Sequence, residues 1–295
     1  ESDSVPAQIS DGSATVTITN DEYGSIRGDN YYTIINGPNW SNAETNAINL
    51  GGHLVAINDV QENQWLIDTF KDANNSPYSS SSPYVDIYWI GLKESGSTWS
   101  WTNSETFSYE NWGYLAPYGN GNRGQITLEA NPNAVGIDRN WTDTAGAWND
   151  QANSSLIEGG LGHNGIAEIP LSYFSISDLT VTEGDSGNIT ISRTGGTTTS
   201  QTLSLVSSNG TATASSDYTA INTTISFAAG ETSKTFSVST TEDSSIESNE
   251  TFSLTLTASE SDSVPAQISD GSATVTIDEA ARVTGPSGSA GDSTS

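Results

Sequence analysis

The chain of 295 residues has no cysteine and no methionine. Without thiols there is no disulfide, no thiolate metal site and no cysteine nucleophile, so its loops must be held by packing, hydrogen bonds or a hard metal ion. The lack of an initiator methionine is what a processed or trimmed N-terminus would leave. Basic residues are scarce: 8 Lys and Arg stand against 36 Asp and Glu, a formal charge of -28. That field repels nucleic acid and anionic lipid and makes cations the natural partners. No apolar run approaches the roughly 20 residues that span a bilayer, and no signal-peptide pattern opens the sequence, which predicts a mature soluble segment without a membrane span. Catalytic sets are lacking too. The two histidines, His53 and His163, have no nucleophile beside them in a recognisable order, so no enzyme is expected.

What is abundant is Ser, Thr, Asn and Gly. Such composition resembles bacterial surface and secreted proteins and predicts an extracellular or cell-surface setting, although a halophile's soluble protein would look similar. The triplets at Asn39, Asn74, Asn140, Asn153, Asn188, Asn209, Asn222 and Asn249 have the form of glycosylation acceptors, but a chain this rich in Asn, Ser and Thr produces them by chance.

One stretch occurs twice. The eighteen residues Glu1 to Ile18 return unchanged as Glu260 to Ile277, 259 positions later. Ala273, Val275 and Ile277 alternate with Thr274 and Thr276, the period of a half-buried strand. The second copy ends a run of such strands; the first has none before it. Residues 1-22 therefore read as an orphan terminal strand and linker. It belongs either to a missing upstream module or, by strand addition, to another chain, and head-to-tail exchange of that kind would build a filament.

Between the copies, residues 23-171 and 172-279 differ in pattern, and 280-295 read as a flexible tail. In the first segment a strand at Tyr31 to Ile35 precedes Trp40, Ala43, Ala47 and Leu50 at helical spacing, ended by Gly51-Gly52. Asp59 with Glu62 three residues on has the capping-box form and opens a second helix through Trp65, Leu66 and Phe70. Gly51-Gly52-His53-Leu54-Val55-Ala56-Ile57, Trp89-Ile90-Gly91-Leu92, Trp99-Ser100-Trp101, Asn111-Trp112, Trp148-Asn149-Asp150 and Gly165 to Leu171 follow in order, and with these the segment resembles the C-type lectin-like domain. The resemblance implies an α+β fold with a long loop region that in many members holds calcium and a sugar. Two departures matter. Family cysteines fall near Ala47 and Ala167. Where sugar-binding members carry Glu-Pro-Asn or Gln-Pro-Asp, this chain has Ala116-Pro117-Tyr118. A second calcium or glycan site would therefore draw on Pro117, Gln125, Glu129, Asn149 and Asp150; alternatively Trp148 packs in the core and Asn149 and Asp150 satisfy loop backbone groups.

The second segment reads as strands only, with alternating apolar pairs from Ile189 and Ile191 to Leu254 and Leu256 separated by turns such as Gly195-Gly196, Asn209-Gly210 and Gly230. This pattern predicts an antiparallel β-sandwich. Thr182-Glu183-Gly184-Asp185, Gly210 to Thr213, Ser216-Asp217-Tyr218, Ala229 to Thr232, Glu242-Asp243, Glu247 and Glu250-Thr251-Phe252 resemble the Calx-beta repeat, an immunoglobulin-like calcium-binding sandwich. By that resemblance Glu183, Asp217, Glu242, Asp243, Glu247 and Glu250 are metal ligands, with Asp278 or Glu279 closing the site. Two like charges about 4 Å apart repel by about 4 kcal/mol at an effective dielectric of 20, so such a cluster needs a counter-ion. The combined expectation is a non-enzymatic, extracellular, calcium-binding structural or adhesive protein with self-association through residues 1-18, or alternatively a calcium-dependent glycan-binding lectin.

Overall fold

The computed structural model describes residues 24-71, 87-113, 116-119, 121-128, 144-153, 164-244 and 247-279. The first copy of the duplicated stretch, Glu129, His163 and the tail from 280 lie outside the described residues.

The first half is a mixed sheet with two helices against it. A hairpin of β1 (Gly24–Arg27) and β2 (Asn30–Ile35) leads into α1 (Trp40–Asn49), β3 (His53–Leu54) and α2 (Val60–Phe70). Then come β4 (Ile87–Ser95), β5 (Thr98–Trp101), β6 (Arg123–Thr127), β7 (Trp148–Gln151) and β8 (Asn164–Pro170). The sheet runs β1-β2-β8-β4-β6-β7, with β3 on β8 and β5 on β4. Asn39 caps α1, its side chain accepting from the Asn42 N–H at 2.9 Å, and α1 turns Trp40, Ala43, Glu44 and Ala47 inward. Asp59 caps α2 by accepting from the Glu62 N–H at 2.7 Å. The reciprocal half of the capping box is displaced by one residue, because the Glu62 carboxylate accepts from the N–H of Asn58 rather than from that of the cap.

Ala47 and Ala167, at the positions of the family's cysteines, are both fully buried in one core cluster with Trp40, Leu54 and Trp89. A second set of contacts holds the elements together where no disulfide can. Alternate backbone N–H groups of the extended segment 54-58 donate to three different glutamates. Leu54 donates to Glu44 of α1 at 2.9 Å, Ala56 to Glu168 of β8 at 3.1 Å and Asn58 to Glu62 of α2 at 3.0 Å. Tyr32 of β2 donates its hydroxyl hydrogen between Glu62, 2.8 Å away, and Glu168, 3.0 Å away.

The second half is a sandwich. Its four-stranded sheet has the order β14-β11-β9-β16 and its five-stranded sheet the order β10-β17-β15-β12-β13. The strands are β9 (Ser172–Ile176), β10 (Leu179–Thr182), β11 (Ser186–Gly195), β12 (Gln201–Asn209), β13 (Asn222–Phe227), β14 (Ser233–Ser239), β15 (Glu250–Ala258), β16 (Gln267–Asp270) and β17 (Ser272–Asp278). Inward residues of both sheets, among them Phe174, Ile189, Ile191, Leu203, Leu205, Phe227, Val238, Phe252, Leu254 and Val275, form one core.

The duplicated stretch behaves differently from a single strand. Its second copy makes two, β16 and β17, which lie in opposite sheets and are separated by Gly271. There the close approach of Ile268 and of the Leu256 carbonyl leaves no room for a Cβ. The beginning of the sandwich divides in the same way, β9 joining one sheet and β10 the other. The two divided ends pair with each other in parallel, β9 with β16 and β10 with β17, so the sandwich is antiparallel except along this flank. Ala273, Val275 and Ile277 are buried, as the alternation requires.

Only Leu171 separates β8 from β9, and the two halves meet in a packed seam. Val264, 2% exposed, belongs to the same apolar cluster as Tyr31, Trp40, Leu54, Ile169 and Leu171. Asp29 accepts from the Leu171 N–H at 2.8 Å and from the Tyr173 hydroxyl at 2.8 Å, and the Thr198 hydroxyl donates to the Gly51 carbonyl at 2.6 Å.

Candidate functional site

At the end of the sandwich away from the seam, Asp217, Glu247 and Glu250 each place a carboxylate oxygen within 4.8 Å of the others. Asp217 is held by a tight turn, accepting from the Thr213 N–H at 2.6 Å and from its hydroxyl at 3.1 Å. Glu250 opens β15, and Glu247 precedes it on the connecting loop. Glu247 is exposed, yet desolvation by its neighbours, followed by the charges of Asp243, Asp217, Glu183 and Glu279, raises its carboxyl above the ordinary range. Partial burial and then Asp217 and Glu247 do the same to Glu250. Three carboxylates thus share one small volume, with Asp243, Glu183 and Glu279 near enough to act on it.

The wider set is arranged around this trio. Glu183 lies close enough to raise both glutamates; one of its oxygens accepts from the Asp243 N–H at 3.2 Å, and the other is buried without a hydrogen-bond partner among the described residues. Glu279 also has a buried oxygen without a partner, whereas Asp278 accepts from the Asn249 amide at 2.6 Å. Asp278 is committed through one oxygen only, so both residues that could close the site keep an oxygen for a cation. Glu242 is exposed, its side chain lying over Gly184. Orphaned buried carboxylate oxygens next to a tight trio of the same chemistry fit a hard divalent cation that takes six to eight oxygens; calcium matches that donor set. The sequence pattern placed Glu279 only as an alternative, because a strand end does not reveal which of two neighbouring acids turns inward.

The lectin-like loops are built otherwise. Gln125 and Asn149 stand opposite each other on β6 and β7, whereas Asp150 stands opposite Gly124. Successive strand residues face opposite sides, so Asn149 and Asp150 do not converge. Asp150 is fully buried, and its two oxygens accept from the Tyr118 N–H at 2.5 Å and the Gly121 N–H at 3.1 Å, fastening the loop that follows Pro117. On the other face the Gln125 amide nitrogen and the Asn149 side-chain oxygen are buried and have no hydrogen-bond partner among the described residues. Trp148 lies in the core, edge-on to Trp101, Tyr109 and Trp112. His53 binds Glu44 at 2.6 Å.

Comparison with known proteins agrees with this division. Residues 36-156 match the Lectin C-type domain and residues 167-281 the Calx-beta domain. Among curated proteins, the chain is similar to the Perlucin-like protein of Mytilus galloprovincialis, 32% identical over 41% of this chain and 66% of that one. It is also similar to the Type-2 ice-structuring protein of Brachyopsis segaliensis, 29% identical over 28% of this chain and 42% of that one. The matches thus span less than two thirds of either relative. Among solved structures, the crystal structure of the apo-form Calx CBD1 domain is 22% identical over 38% of this chain and 99% of its own, with a TM-score of 0.35. That of the Calx CBD2 domain is 17% identical over 36% of this chain and 85% of its own, with a TM-score of 0.32. Among the described residues no helix is long and apolar enough to cross a membrane. The chain is thus similar to a C-type lectin domain over residues 36-156, followed by a Calx-beta domain over residues 167-281.

Proposed function

We propose that this is a non-enzymatic, extracellular structural and adhesive protein whose sandwich is stiffened by calcium at the pole formed by Asp217, Glu247, Glu250, Glu183 and Glu279, with Asp243, Glu242 and Asp278 around them. The observation that carries the reading is the trio of carboxylates within 4.8 Å, beside two buried carboxylate oxygens that lack partners. Calcium there ties together the turn bearing Asp217, the start of β15, the β10–β11 turn and the end of β17, four pieces of chain that otherwise repel. Isothermal titration of the full chain tests it: heat of calcium binding should appear and should be lost or weakened at least about tenfold in Asp217→Asn with Glu250→Gln. Unchanged titration in that variant would remove the site.

Self-association is part of the same reading. The contacts of the second copy define what an identical first copy could replace: β17 between β10 and β15, β16 beside β9, and Val264 in the seam. Six residue steps from Ile18 to Gly24 span at most about 21 Å. The nine residues of β12, which run from seam to pole, cover about 26 Å. That reach favours a neighbouring identical module as the acceptor, either on another chain or ahead in the same one, with exchange displacing that module's own second copy or using a different edge. Light scattering in millimolar calcium and in chelator, with and without residues 1-18, separates these. Calcium-dependent particles that vanish on deletion support exchange between chains; monomers under all conditions overturn the filament.

The second reading, a glycan bound with calcium in the lectin loops, is favoured by the C-type lectin match and opposed by Asp150, whose oxygens are already committed to the loop backbone. A glycan array in calcium, repeated with Asp150→Ala, decides it.

A further inference from the structure

Beside the seam lies a cleft of about 280 Å³ that neither domain forms alone. From the lectin side it is lined by Asn49 and Leu50 at the end of α1, and from the sandwich side by Thr199, Asp262, Ser263 and Val264 among others. Its size is near the lower end of ligand pockets, roughly 300 to 1,000 Å³, enough for one ring-sized molecule rather than a chain.

The chemistry of the lining is specific. Asp262 is fixed by the Thr202 N–H, which donates to one carboxylate oxygen at 2.7 Å and leaves the other as an acceptor. The Thr199 hydroxyl oxygen accepts from the Gln201 amide at 3.1 Å and from the Arg193 guanidinium at 3.4 Å, so what it has left to offer is its hydrogen. Arg193 is 3% exposed and binds only neutral acceptors among the described residues, so its charge polarises that hydroxyl into a better donor. Asn49 is exposed and brings an amide that can donate and accept at once. Half-buried Leu50 adds a small apolar surface.

A fixed carboxylate acceptor, an oriented hydroxyl donor and an amide around a small apolar patch are complementary to adjacent hydroxyls on an aliphatic ring. A single carboxylate is far short of the oxygens a hard cation needs, and the same carboxylate, on a chain of charge -28, disfavours an acidic ligand. We propose that the junction cleft binds a neutral saccharide ring without calcium, with Asp262, Thr199 and Asn49 as its polar contacts. The site is distinct from the loops near Asp150 and from the carboxylate pole, and a ligand in it touches both domains.

The test is saturation-transfer NMR on the full chain in chelator with a panel of neutral methyl glycosides: methyl mannoside, galactoside, glucoside and N-acetylglucosaminide. Transfer to at least one of them is expected. Ser263 is exposed, so Ser263→Trp should fill the mouth and abolish transfer, and Asp262→Asn should weaken binding about tenfold or more. Asn49→Ala, an exposed helix-end change that cannot disturb the core, should weaken it as well and serves as the control should the tryptophan variant misfold. The inference is overturned by no transfer to any glycoside in chelator, by transfer that survives Ser263→Trp or is undiminished in Asn49→Ala, or by transfer that requires calcium and disappears in Asp150→Ala.

Discussion

Glu168 shows what a cysteine-free lectin-like core asks of a single residue. It is 7% exposed, and burial pushes its carboxyl up to about 7 from the ordinary 4.5; the Ala56 N–H pulls against this and Glu62 adds to it. Because the folded value lies above the unfolded one, the stabilisation from its proton is fully present below about pH 4.5 and is lost as pH rises through about 7. Glu168→Gln removes this titration but sets an amide nitrogen against the Ala56 N–H or against Asn30 and Tyr32, so the loss of stability between pH 4.5 and pH 8 should be smaller in the variant than in the parent, as read by urea unfolding at both pH values. Tyr32 is raised by burial and then by Glu168 and Glu62, so it stays a neutral donor to both. Tyr32→Phe leaves two buried carboxylates short of a donor and should cost about 2–3 kcal/mol. At the other end of the molecule the shift has another consequence. Glu247 and Glu250 are raised by desolvation and by their acidic neighbours, and metal ligands must be deprotonated. Calcium affinity should therefore fall between pH 7.5 and pH 5 more steeply than for carboxylates of ordinary pKa, which titrations at the two pH values would reveal.

Among the elements, the seam depends on a turn. Gly51 ends α1 with φ +90, and a Cβ there would lie 2.5 Å from the Thr198 hydroxyl oxygen and 2.6 Å from the Thr199 methyl. Gly51→Ala combines left-handed strain with collision across the domain boundary and should cost about 1–3 kcal/mol, with faster limited proteolysis near Leu171. Both helices, the Asp59 cap, the Gly51 end of α1 and the strands with strong alternation were legible in the sequence, because apolar spacing and capping chemistry are local; the Asn39 cap was not read there. The strand β16 was not: Gln267-Ile268-Ser269-Asp270 has one apolar residue, and its place is set by parallel pairing with β9, nearly a hundred residues away. The acidic motifs were legible as a set. Which of them meet was not, since Asp217 and Glu247 converge only through the connections of two sheets. In the lectin-like segment, the pair Asn149-Asp150 was visible as residues, while the strand that turns their side chains apart was hidden in the Gly- and Asn-rich region.

On the scale of the whole molecule, two dissimilar domains are joined by one residue and a shared apolar cluster, in a chain whose formal charge is -28. Such a charge opposes compaction and association until cations are present, which places calcium at the centre of the account. A duplicated stretch that in its second copy supplies two strands and a seam residue makes the same module repeatable. The measurement that bears most directly on the central claim is calorimetric unfolding of the full chain in chelator and in millimolar calcium. Calcium at 100 times its dissociation constant should add about 2.7 kcal/mol to the sandwich, raising its unfolding temperature in the parent but not in Asp217→Asn with Glu250→Gln. An unfolding temperature that calcium leaves unchanged in the parent, or raises equally in the double variant, would contradict the account.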